Sequence, residues 1–242
     1  MSEQLPPIDP PLDAGTPVGR RVVLGLIGLG ALGVAGGSAL SAGVGAIAAK
    51  DPTGVTALVP GGGGYRYYTV TGPVADVAPA DYSLSVSARP SAAPVKLDWA
   101  TLSSLPQTTI TKDVQCVTGW RVASQTWSGV LLKDVLLHSG ADLSAAALTF
   151  GSFDGTYTES LTMSQGLRPD VLVATSLDGA PIPNEHGGPV RLYVAPMYFY
   201  KSLKWLGSVS VVSAVEPGYW EKLGYDVDAW VGNSNGRNDA PI

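Results

Sequence analysis

The sequence predicts an α+β domain built on mixed β-sheets, with an apolar N-terminal helix ahead of it. Three observations lead to that class. Short runs rich in Val, Thr, Ser and Tyr recur from Tyr65 to Val215, bounded by Gly, Pro, Asn or Asp, which is the pattern of strands and turns. Apolar residues at helical spacing are confined to brief stretches, so strands and helices do not alternate as in a doubly wound parallel sheet. Finally, an uncharged run of 28 residues extends from Val22 to Ala49. As a helix it would reach about 42 Å, against roughly 30 Å of bilayer hydrocarbon.

A chain of 242 residues has room for a sizeable core without cross-links. With 14% charged residues and a net charge of −5, a broad basic surface is not expected, nor is nucleic acid as a partner.

The N-terminus divides the chain into residues 1–50, a signal or anchor, and residues 51–242, the functional domain. Residues 1–19 are polar and Pro-rich, and Arg20-Arg21 stand directly before the apolar run. That order fits a twin-arginine type of export signal, or an anchor whose arginines hold the N-terminus in the cytoplasm. Either way the domain is expected on the outer, periplasmic or extracytoplasmic, face. The small residues of "AIAAK" offer a cleavage pattern ending at Ala48, or a packing surface for a retained helix.

Past a glycine linker, Tyr65 to Thr71 is β-prone and Tyr82 to Val86 alternates as a strand. "LDWATLSSLP" predicts a short helix from Asp98 to just before Pro106. Residues 107–118 read as a strand that delivers Cys116 near its end. In "SGVLLKDVLLHSG", Val130, Leu131, Val135 and Leu136 are at helical spacing, with Gly140 as the stop. Short strands then follow in "LTFGSF", "YTESLTM", "VLVATSL", "VRLYVAP" and "GSVSVVSAV", with a helical turn in "LTMSQGLRPD".

Cys116 is the only cysteine, so an internal disulfide and multi-cysteine zinc or iron–sulfur cages are excluded. His138 and His186 are the only histidines, too few to complete a zinc site with one thiolate. A lone cysteine is ordinarily a small buried hydrophobe. Outside the cytoplasm a thiol is exposed to oxidation unless it is buried or bonded, and a metal holds a thiolate deprotonated. Both roles suit the residue.

"CVTGW" at 116–120, the spaced pattern from Trp127 to Leu136, "HGGPVRLYVAPMYFYKSLKWLGSVSV" at 186–211 and "PGYWEKLGYDVDAW" at 217–230 resemble the molybdenum-cofactor domain of the sulfite oxidase family. The likeness covers nearly all of residues 64–232 and keeps the order and spacing of the motifs. It implies that Cys116 is the single protein ligand to one molybdenum–molybdopterin per chain, and hence the catalytic and metal-binding residue. Soft sulfur ligation suits such a metal.

The same resemblance implies a pterin pocket around His186, Arg191, Ser202 and Lys204, with Ser202 and Leu203 offering backbone groups to the phosphate. A phosphate calls for fixed donors and positive charge even in an acidic protein. Arg66, Tyr67 and Tyr68 fall in the segment that crosses the pocket, and Ser152 and Phe153 are further candidates. Trp120 and Trp127 read as structural, walling the metal site.

Sulfite-oxidising members of the family carry a substrate-binding arginine where this chain has Thr69-Val70-Thr71, which removes a charge-assisted anion contact. Phe199 stands where the family motif has a glycine. No haem module is expected, so electrons would pass to or from a membrane redox partner such as a haem-bearing subunit. The leaner architecture is similar to the bacterial exported branch that includes a methionine sulfoxide reductase. The implied activity is two-electron oxygen-atom transfer with a small-molecule or protein-borne substrate, sulfoxide reduction foremost. Two other readings are a sulfite dehydrogenase, with Arg121 in place of the missing arginine, and a cofactor-free membrane-tethered binding module.

Overall fold

A computed structural model describes residue 70, residues 74–117 and residues 121–232. The apolar run at 22–49, the β-prone segment from Tyr65, and Arg66, Tyr67, Tyr68 and Trp120 lie outside the described residues. The elements in chain order are β1 (Ser83–Ser87), β2 (Val95–Asp98), α1 (Trp99–Ser104), β3 (Gln107–Gln115), β4 (Arg121–Leu131), α2 (Leu132–His138), β5 (Ala147–Ser152), β6 (Thr158–Thr162), α3 (Met163–Gly166), β7 (Val171–Leu177), β8 (Ala180–Pro181), β9 (Arg191–Val194) and β10 (Leu206–Val212).

They form two sheets. The first runs β2-β1-β10-β5-β6, with β1 and β10 parallel and its other pairs antiparallel. The second runs β3-β4-β7-β8, with β9 also paired to β7, and its ladders are antiparallel. The α+β class with mixed sheets and few helices is therefore the observed one.

Local chemistry accounts for the elements that sequence reasoning located. Asp98 caps α1, its carboxylate accepting the Thr101 N–H at 2.8 Å, which satisfies a donor the first turn leaves open. Gly140 ends α2 with φ +67°, the left-handed conformation favoured at such stops. Thr162 and Gln165 form a capping box on α3, enough to hold a helix of one turn.

The main correction lies between Cys116 and α2. The strand β4, from Arg121 to Leu131, is 11 residues long, and Val130 and Leu131 belong to it rather than to the helix. Helical spacing across the β4–α2 junction concealed the change of period, because the apolar residues of a strand end and a helix start merged into one pattern. Trp127 sits at the centre of β4, fully buried, opposite Ile110 on β3 and Leu177 on β7. The short strands β2 and β8 were also not separated from their neighbouring turns.

Every residue of β9 is buried, and the chain leaves it for β10 in the other sheet. The connection, residues 195–205, is thus the seam between the sheets. Segment 202–206 is bonded along 187–192: Leu192 N–H donates to the Leu203 carbonyl at 2.9 Å, Leu206 N–H to Val190 at 2.9 Å, and Trp205 N–H to Gly187 at 3.0 Å. Val190, Leu192, Leu203 and Leu206 are buried around it. Each such aliphatic side chain stabilises the fold by about 1.5–3 kcal/mol relative to exposure.

Candidate active site

Three basic residues meet along this seam. Arg191, at the start of β9, is 1% exposed. Its Nη1 donates to the His186 carbonyl at 2.6 Å, its Nη2 to the Ser202 carbonyl, and its Nε reaches the Leu192 carbonyl at 3.4 Å. The guanidinium lies 4.3 Å from the Phe199 ring centroid and 5.1 Å from that of Trp127. Trp127 in turn stacks on Tyr193 at 5.2 Å. The planar cation is held between aromatic faces and carbonyl oxygens, the environment for which arginine rather than lysine is suited.

The fixed charge of Arg191 acts on its neighbours. Burial first, and the Arg191 charge second, push the His186 imidazole down to about 4, so it is neutral at physiological pH. The unfolded chain protonates this histidine first, near its ordinary value of about 6.5. Stability therefore falls as pH drops from there through about 4. The same two causes bring Lys204 down to about 8, and its Nζ lies 4.5 Å from the Trp205 ring and donates to the Glu185 carbonyl at 3.2 Å.

Gly187 makes this arrangement possible. Its φ is +93°, and a Cβ there would lie 2.6–2.7 Å from Cα, Cβ and Cγ of Lys204. Gly187→Ala should therefore destabilise the protein by roughly 2–3 kcal/mol, combining left-handed strain with overpacking, as read from chemical denaturation. An unchanged midpoint would mean that Lys204 moves aside without cost.

The structure brings together His186, Arg191, Ser202 and Lys204. It revises what Ser202 and Leu203 contribute: the Ser202 N–H is used by the Phe199 carbonyl and the Leu203 N–H by that of Lys201, while the Ser202 hydroxyl accepts the Val194 N–H at 3.0 Å. These backbone donors serve the seam. Ser152 is likewise engaged in the β5–β6 turn, where its hydroxyl donates to Asp154 and accepts the Tyr157 N–H at 3.0 Å. That turn does border the seam, since Phe153 N–H donates to the Trp205 carbonyl at 2.7 Å.

Cys116 follows β3 directly, is 9% exposed, and belongs to the same buried cluster as Trp127, Tyr193 and Leu203. Among the described residues no group of three or more His, Cys, Asp and Glu side chains converges as a metal site. A metal at Cys116 would need ligands from outside such a protein cluster. Arg121 pairs with Asp113 across the β3–β4 hairpin, so its charge is opposed by a carboxylate.

Sequence reasoning missed Lys201, Glu159 and Glu221. Lys201 has no exposed surface, and it pairs with Glu159 and, at 2.6 Å, with Glu221. Nothing in the local pattern distinguishes these three from solvated charges, since their partners are 42 and 20 residues away in the chain.

Residues 71–220 match the family described as "Oxidoreductase molybdopterin binding domain". The chain is 31% identical over 139 residues to the uncharacterized oxidoreductase YuiH of Bacillus subtilis (strain 168), covering 57% of this chain and 70% of that protein. It is 35% identical over 134 residues to a subunit of Azospira oryzae provisionally named protein-methionine-sulfoxide reductase subunit YedZ1, covering 55% of this chain and 49% of the relative. Human mitochondrial sulfite oxidase is 31% identical over 180 residues, covering 63% of this chain and 33% of the enzyme. The chain thus spans half or less of the latter two. The crystal structure of the sulfane dehydrogenase SoxCD from Paracoccus pantotrophus superposes with a TM-score of 0.51 at 20% identity, over 58% of this chain and 40% of that one, a likeness of fold.

Proposed function

From the premise that this chain belongs to the oxidoreductase molybdopterin-binding domain family, and is a molybdopterin-dependent enzyme of the sulfite oxidase family, we propose that it is an exported catalytic subunit that reduces a sulfoxide. The bound molybdenum–molybdopterin supplies two-electron redox and oxygen-atom transfer. In balanced form, a sulfoxide, two electrons and two protons give a thioether and water. The electrons come from a membrane redox partner, for which a haem-bearing subunit is the chemical class that fits.

The residues fit that cofactor. Cys116 is the thiolate ligand, and its burial protects it from oxidants. Lys204 provides the cation for the terminal phosphate. Arg191 supplies a second positive charge while holding His186 and Ser202 in register through their carbonyls. His186, neutral at physiological pH, can hydrogen-bond to the pterin without adding charge. The observation that carries the assignment is the convergence of two cations on the segment 186–187: the buried Arg191 guanidinium bonds the His186 and Ser202 carbonyls, Lys204 packs against Gly187 beside them, and a bound phosphate would offer both charges an anionic partner.

Arg66, Tyr67, Tyr68 and Ser152 remain proposed cofactor-binding residues on the strength of the resemblance. Support for a sulfoxide over sulfite comes from Thr69-Val70-Thr71 in place of an anion-binding arginine, from the Asp113 pairing of Arg121, and from the name of the Azospira oryzae relative. Arg20-Arg21 and the apolar run after them support export.

Molybdenum and releasable pterin, measured on purified native protein, test the cradle directly. Lys204→Ala should weaken cofactor retention by roughly 10–100-fold, as loss of an outer contact does in other metal sites. Undiminished molybdenum content in that variant would overturn the role of Lys204. Turnover of methionine sulfoxide with a reduced viologen donor, against sulfite oxidation with ferricyanide, decides the substrate.

A further inference from the structure

Beneath the cradle lies a buried ionic cluster that cofactor binding does not itself explain. Lys201 Nζ donates to the Ser160 carbonyl at 2.8 Å and to Glu221 Oε1 at 2.6 Å, and pairs with Glu159 Oε2. These side chains are 0% or 1% exposed. Glu159 Oε1 and Glu221 Oε2 are both buried without a hydrogen-bond partner, and both carboxylates close on the same Lys201 Nζ. Two ionised carboxylates offer only acceptors. One proton on the pair supplies the donor that two carboxylates lack and leaves the cluster neutral with the lysine.

We propose that Glu159 and Glu221 share a proton over Lys201, and that this neutral triad positions the Phe199–Lys204 arm of the cradle. The inference rests on the assignment of Lys204 and Ser202 to the cofactor. The triad joins β6, the arm and the turn at Glu221–Leu223. Gly218 admits it, because a Cβ there would lie 2.7 Å from Glu221 Oε2 and 2.6 Å from the Thr158 carbonyl. The arm then continues to Ser202, whose carbonyl is held by Arg191. Tyr157 braces the same arm by donating to the Tyr200 carbonyl at 2.8 Å.

Burial raises the Glu159 carboxyl well above the usual carboxylate range, and the Glu221 charge adds to it, while Lys201 opposes the shift. The partly buried phenols of Tyr157 and Tyr200 are raised by desolvation first and by the Glu159 and Glu221 charges second, with Arg191 acting on Tyr157 and Asp226 on Tyr200. The folded protein thus keeps a proton that the unfolded chain releases near pH 4.3. Stability falls as pH rises from there and levels off above the raised folded value.

The experiment uses full-length cofactor-loaded protein at about pH 5 and about pH 8, measuring the unfolding midpoint and the pterin retained after gel filtration. Glutamine at Glu159 keeps a hydrogen-bond donor that cannot titrate. The wild-type midpoint should therefore fall, between those pH values, by at least about 2 °C more than that of Glu159→Gln. Pterin retention should follow the same contrast, and Lys201→Arg should retain more pterin than Lys201→Met. Parallel pH profiles would overturn the shared proton. A midpoint contrast with identical pterin profiles would overturn the positioning role. Should Lys201→Met fail to fold, the Glu159→Gln comparison decides alone. If Lys204→Ala keeps its pterin while the midpoint contrast persists, it is the cradle assignment that fails.

Discussion

Cys116→Ser yields a folded protein whose turnover is reduced by more than about 100-fold. Removing only an outer contact of a metal ligand costs roughly 10–100-fold, and this change removes the proposed ligand itself. A serine hydroxyl is a hard, weakly acidic donor and does not replace a thiolate on a soft site. The substitution is nearly isosteric at a residue at the rim of the core, 9% exposed, so secondary structure and the unfolding midpoint should be little changed. Circular dichroism, molybdenum content and turnover measured together check this. Full activity in the variant would remove Cys116 from the coordination sphere.

Arg191→Ala has the largest expected effect on stability, a loss of roughly 4–6 kcal/mol. Hydrogen bonds to charged groups contribute about 1.5–3 kcal/mol each, and two short ones run from this guanidinium to the His186 and Ser202 carbonyls. The deletion also opens a cavity beneath Phe199 and Trp127, whose rings lie 4.3 Å and 5.1 Å from the cation. Arg191→Lys keeps the charge but cannot bridge two carbonyls in one plane, so it should recover only part of the loss. Chemical denaturation of both variants checks the order. With the Arg191 charge gone, His186 should titrate higher than about 4, measurable by NMR in any folded fraction.

The fold class was legible because strand and turn chemistry are local. Asp98, Gly140 and the alternating residues of β1 signal their structures within a few positions. Most of β4 was not legible, because its outer residues alternate weakly and its apolar end runs into α2 without a turn residue between Leu131 and Leu132. For the site, family likeness supplied Cys116, His186, Arg191, Ser202 and Lys204 as candidates. It did not reveal that the backbone donors at Ser202 and Leu203 would be engaged within the seam. Nor does any spacing mark Lys201, whose burial depends on β6 and the Glu221 turn arriving from opposite sides in the sequence.

The parallel pairing of β1 with β10 places Ser85 beside Ser208, joining the first strand of the described domain to the last. Strand closure at such separation is slow, because chain entropy is lost before the contacts form. During synthesis, β1 has no parallel neighbour until residue 212 has left the ribosome, and the cradle segments between 186 and 204 emerge just before it. Assembly of the first sheet is thus a late, nearly whole-chain event. A nascent chain stalled or truncated before β10 leaves β1 and β5 with open edges, the surfaces through which incomplete sheets aggregate.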